Sequence, residues 1–92
     1  MRAVHLSDLH VAACALRCLP EEQQPDAVRQ AVEHANIADR YRKRLRKAHL
    51  VFGSGTLSSA FGPVDVPERC DTAYLQALRT VVAILLQRAD KK

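Results

Sequence analysis

Four stretches of the chain place apolar residues at helical spacing. From about Leu6 or Ser7 to Leu19, residues Leu6, Leu9, Ala12, Ala13, Leu16 and Leu19 fall on one side of a helix. Ser7 offers an N-cap, Asp8 suits the first turn, and Pro20 disfavours helical geometry at Leu19. After a connector at residues 20–24, Pro25 suits the first turn of a second helix. Nothing interrupts that helix before about His49, a length of about 35 Å. Its apolar arc is Ala27, Ala31, His34, Ala38, Tyr41, Leu45 and Ala48, widened on one flank by Val28, Val32 and Ala35. The apolar Leu50-Val51-Phe52 follows, and Gly53 can break the helix. Ser54 or Thr56 can cap a short third helix ending near Phe61, stopped by Gly62 and Pro63. The segment from Val64 to Arg69 reads as a loop. Asp71 caps a fourth helix that runs to about Ala89. There Tyr74, Leu75, Leu78, Val81, Val82, Leu85, Leu86 and Ala89 share a broad arc.

The pattern predicts an all-α fold, a small helical bundle of three long helices plus one short helix, forming a single domain over residues 1–92. Apolar residues are 48% of the chain but aromatics only 4%, so the core is one of Leu, Val and Ala. A chain this short buries a modest core, which points to dimerisation or a partner as a source of stability. No apolar run reaches the length of a membrane span. Three cysteines without a visible secretory signal point to a reduced, cytoplasmic protein with free thiols.

Charge adds one dense feature. Arg40, Arg42, Lys43, Arg44, Arg46 and Lys47 are six cations in eight positions, with no acid among them, while the net charge of the whole chain is only +4. On a helix, Arg40, Lys43, Arg44 and Lys47 form an outward stripe able to neutralise phosphates of a nucleic acid. Arg42 and Arg46 lie on the flank nearer the apolar face, where Asp39 can hold Arg42 or Lys43. The block also complements the negative end of the helix dipole, so a solvated surface is the plain alternative. The turn at Ser54, Gly55 and Thr56 can act as a generic anion site or simply as a helix cap.

Other chemistry is sparse. MRAVHLSDLH resembles the opening of calcineurin-like metallophosphoesterases, where Asp8 and His10 would bind a metal that activates water. The further Gly-Asp-x-x-Asp, Gly-Asn-His and Gly-His-x-His motifs of those enzymes are absent. His10, Cys14 and Cys18 are spaced by four on one helix side, but the outer two are about 12 Å apart, too far for one ion. The expectation is that Cys14 and Cys18 act with Val11 as small apolar residues at a helix contact. His34 reads as a core or interface residue. No nucleophile elbow occurs, so neither catalytic residues, metal ligands nor cofactors are assigned.

The segment ADRYRKRLRKAH, followed by Phe52-Gly53-Ser54-Gly55-Thr56-Leu57, resembles a group of small uncharacterised alphaproteobacterial proteins. Leu50 stands where that group usually has Pro, and Phe52 where Trp is common. The resemblance implies a bacterial domain of unknown function and carries no activity. The leading expectation is a non-enzymatic binding module, regulatory in role, that contacts nucleic acid or another polyanion by backbone contacts. The alternative is a protein–protein interaction adaptor or homodimer, using helix 4 (Ile84 included) and helix 1 at Val11, Cys14 and Cys18. A metal-dependent phosphoesterase-like fragment is the remote third.

Overall fold

The computed structural model of the chain describes residues 1–46 and 53–90. Among these residues every regular element is helical, in the order α1 (Leu6–Leu16), a 3-10 turn (Glu21–Gln23), α2 (Gln24–Leu45), α3 (Leu57–Phe61) and α4 (Thr72–Asp90). This is the predicted small all-α bundle. The helix α1 packs mainly on α4 and α3, and α2 packs on the same two, while α1 and α2 barely touch. So α3 and α4 join the two halves.

Each helix end has a local cause. His5, not Ser7, is the extended N-cap of α1, and its N–H donates to Asp8 Oδ2 at 2.8 Å. The helix stops three residues before the expected Leu19. The buried Gln24 takes the released carbonyls, its Nε2 donating to Leu16 O at 3.0 Å and Leu19 O at 3.2 Å. Its burial seals the end of one helix with the first residue of the next. Thr56 caps α3 by accepting the Ser59 N–H at 3.2 Å. Asp71 caps α4 by accepting the Tyr74 N–H at 2.8 Å. The helix α2 ends at Leu45, short of His49, because Arg46 turns left-handed (φ 58°) and returns its N–H to Arg42 O at 2.7 Å. The expected continuation through Ala48 and His49 and the apolar Leu50-Val51-Phe52 lie outside the described residues.

The core is aliphatic and rich in alanine. Leu16, Leu57, Val28, Val32 and Val81 are fully buried among Ala12, Ala13, Ala31 and Ala77. Two helices bury one edge of the arc their sequence suggests, not the whole of it. On α2 the expected flank, Val28, Val32 and Ala35, is the centre of burial, and Leu45 is half exposed. On α4 the buried row is Tyr74, Ala77, Val81 and Ile84, with Leu78 and Leu85 partly buried. Ile84, outside the expected arc and assigned to an interaction surface, is only 4% exposed. The reason is positional. Because α1 and α2 both lie against α4, its buried face centres on the line between them, where the small Ala77 lets them approach.

Leu57 is the one fully buried residue of α3, so Leu57→Ala should cost about 2–5 kcal/mol in urea denaturation. Leu75→Ala, on the outer side of α4, should cost well under about 1 kcal/mol. Equal losses would contradict the assignment of the core face.

Candidate functional site

The basic end of α2 is built on a buried carboxylate. The row Val28, Val32, Ala35 continues one turn on to Asp39, which is 4% exposed. Three cations converge on it. Arg42 Nη2 donates to Oδ1 at 3.0 Å, Lys43 Nζ lies 3.3 Å from Oδ2, and the Met1 ammonium lies 3.4 Å from Oδ2. The ammonium also donates to Asn36 Oδ1 at 2.6 Å. Burial by itself would raise the Asp39 pKa. The hydrogen bonds from Arg42 and Lys43, with the charges of Lys43 and the N-terminus, outweigh it and hold the group at about 2.

The Gly-Ser-Gly turn is seated on the same residue. Gly55 is buried at φ +94°, and a Cβ there would stand 2.8 Å from Asp39 Cα. Its carbonyl accepts the Arg2 N–H at 2.8 Å, so the N-terminal segment and the turn cross α2 together. The polar groups of the turn serve the fold. Ser54 N–H donates to Ser59 Oγ at 3.3 Å, and Thr56 Oγ1 caps α3. Ser58 N–H donates to Asp8 Oδ1 at 3.2 Å. A carboxylate from α1 therefore occupies the helix terminus where an outside anion was one expectation. Burial opposes ionisation of Asp8, but the His5 and Ser58 hydrogen bonds lower its pKa overall.

The predicted basic cluster is thus divided. Arg42 is half-buried and Lys43 is exposed, and both are compensated by Asp39. Arg40, Arg44 and Arg46 are exposed. Among the described residues no carboxylate lies within ion-pair distance of these three. Arg40 shares a surface hollow of about 350 Å³ with Glu33 and Asp39, so that hollow carries both signs of charge. Lys47 lies outside the described residues.

Asp8 and His10 face different partners. Asp8 joins α1 to α3, whereas His10 Nδ1 lies 2.8 Å from the Tyr74 hydroxyl on α4. Cys14 is buried 3.7 Å from His10 Nε2, and Cys18 is exposed. Burial raises the Cys14 pKa, keeping it a thiol. Among the described residues no three His, Cys, Asp or Glu side chains are grouped so as to hold a metal ion.

Among the described residues, exposed apolar side chains occur singly at Leu6, Leu45 and Val66, but they form a row only on α4. Leu75 is 52%, Val82 38% and Leu86 59% exposed. They sit about 140° round the helix from the buried row. With Leu78, Arg79 and Ala83 they line an open groove of about 440 Å³. The sequence arc contained these residues and offered helix 4 as a contact surface, but did not show which edge of the arc is core and which is solvent-facing. Of the other apolar surface expected, on α1 at Val11, Cys14 and Cys18, Cys14 is buried, Val11 is partly buried and Cys18 is exposed.

A family model described as a domain of unknown function (DUF7742) matches residues 2–85, and the chain belongs to that family. No curated protein and no solved structure matches the chain.

Two outcomes test the Asp39 assembly. Because the folded pKa lies below the ordinary 3.8, its contribution to stability is complete above about pH 4 and is lost as pH falls toward about 2. Wild-type protein should lose stability across that window in acid titration. Asp39→Asn should be less stable at pH 7 and flatter over the same window, and an unchanged acid slope would contradict the pairing. Gly55→Ala should lower stability by about 2 kcal/mol or more, through both φ and the clash with Asp39. A neutral effect in thermal denaturation would show that the close approach is not required.

Proposed function

We propose that the chain is a non-enzymatic helical module for protein–protein interaction, with the outer face of α4 as its contact surface. One observation carries this reading: α4 is apolar on two sides, and the side bearing Leu75, Val82 and Leu86 faces solvent. Scattered exposed leucines are ordinary, but residues at positions 75, 78, 82 and 86 keep helix-seam spacing over three turns. Removing that stripe from water would supply binding free energy at little cost to the fold.

Contact with nucleic acid or another polyanion is the second reading, favoured by the exposed Arg40, Arg44 and Arg46 at one end of α2. It ranks lower because Arg42 and Lys43 already balance Asp39, leaving a smaller unpaired patch than the sequence suggests. The resemblance of the 38–57 segment supports a bacterial, alphaproteobacterial origin as part of this proposal. The three free thiols support a cytoplasmic setting, and no described helix is long and apolar enough to cross a membrane.

The two readings separate in host extract analysed by gel filtration at native expression. Wild-type protein should elute in a complex larger than its own 10.2 kDa. Leu75→Asp with Leu86→Asp should release it from that complex while keeping the helical circular-dichroism spectrum. Arg40→Glu with Arg44→Glu should leave the complex intact. If the arginine variant or nuclease treatment releases the protein and the leucine variant does not, the polyanion reading replaces the first.

A further inference from the structure

Two of the chain's three cysteines meet at one place in the fold. Cys14 and Cys18 both line a hollow of about 250 Å³ at the end of α1, together with Phe61, Pro63, Val64 and Asp65. Cys14 is only 2% exposed, whereas Cys18 is open to solvent. His10 stands one turn before Cys14, with Nε2 3.7 Å from Cys14 Sγ and Nδ1 2.8 Å from the Tyr74 hydroxyl. We infer that Cys14 and Cys18 form a reversible thiol–disulfide pair oxidised by hydroperoxides. Cys18 meets the oxidant, Cys14 closes the bond, and His10 takes the proton that Cys14 gives up.

The backbone permits this bond and makes it labile. The helix runs to Leu16 and Arg17 keeps right-handed helical angles, so the two Cα atoms lie about 6 Å apart, within the span a disulfide accepts. Their Cβ atoms must close from about 5–6 Å to about 4 Å. Cys18 lies beyond the last helical residue, so closure bends a turn that is already ending. A bond strained in this way is readily reduced.

The two thiols have separate roles. Burial is the largest influence on Cys14 and raises its pKa; the Arg17 charge lowers it, and charges on Cys18 and Cys70 raise it. A buried thiol of this kind does not meet an outside oxidant, but it can reach a group on its neighbour. Cys18, ionised to its thiolate, attacks a hydroperoxide. An S–O bond forms, the O–O bond breaks, and the departing oxygen takes up a proton, leaving a sulfenic acid. Cys14 then passes its proton to His10 Nε2 and attacks the Cys18 sulfur. The S–S bond forms, the S–O bond breaks, and the leaving hydroxide takes that proton from His10 as water. This uses the tautomer in which Nδ1–H donates to the Tyr74 hydroxyl oxygen and Nε2 is free to accept. Two thiols and one hydroperoxide thus give one disulfide, one alcohol (water, from hydrogen peroxide) and one water.

Trypsin cuts between the two cysteines at Arg17, so the bond reads in mass spectrometry as peptides 3–17 and 18–29 joined. Reduced whole protein treated with equimolar hydrogen peroxide should give that joined pair as its main product, and dithiothreitol should release it. Cys14→Ala should stop at a Cys18 sulfenic acid that dimedone traps, Cys18→Ser should leave Cys14 reduced, and Cys70→Ser should change nothing. His10→Gln, with an unchanged circular-dichroism spectrum, should slow closure about tenfold or more while the Cys18 sulfenic acid forms at the wild-type rate. A bond through Cys70, within one chain or between two, would overturn the pair, as would Cys18 passing to sulfinic acid while Cys14 stays reduced. Closure at the wild-type rate in His10→Gln would overturn the part given to His10.

Discussion

Asp39 stands at the end of an apolar row, where an unpaired charge would be costly, and the surrounding chain is arranged to keep it ionised. Arg42 and Lys43 reach it from the next turn of its own helix, and the N-terminal ammonium reaches it from outside. The glycine of the turn before α3 rests on its backbone, because any side chain there would collide with it. A single carboxylate thus ties together the beginning of the chain, the last turns of α2 and the approach to α3. Asp8 makes the complementary junction, holding the start of α1 to the start of α3. Between them, these two acids fix a five-residue helix that has only one fully buried side chain of its own.

The same arrangement bears on function. Cations that look like a continuous binding stripe are partly internal counter-ions. The adjoining turn that looks like an anion cradle holds the protein's own polar groups. What stays unengaged on the surface is the three exposed arginines Arg40, Arg44 and Arg46 at the basic end of α2 and, elsewhere, the apolar outer face of α4. That helix serves two purposes at once: Tyr74, Ala77, Val81 and Ile84 close the core, while Leu75, Val82 and Leu86 remain available. Because the faces are separate, changes on the outer one should affect binding without unfolding the bundle.

Helix number, type and most caps were legible because they rest on local rules. Pro25 at the start of α2, Thr56 before α3 and Asp71 before α4 act within one turn of themselves. The misread features depend on distant partners. Nothing near Leu16 announces that Gln24 will cap it. A left-handed Arg46 carries no glycine signal. The choice between two edges of the α4 arc is made by where α1 and α2 lie, which periodicity cannot show. Asp39 was visible as a possible partner of Arg42 or Lys43. Its burial could be suspected only from its spacing after Val28, Val32 and Ala35.

The central claim is that the working surface is the outer face of α4 and not the basic end of α2. Photo-crosslinking in host cells tests it most directly, with a benzophenone amino acid placed at position 86 in one variant and at position 44 in another. The account predicts discrete protein adducts from position 86 and none from position 44. Adducts confined to position 44, to nucleic acid or to protein, would contradict it.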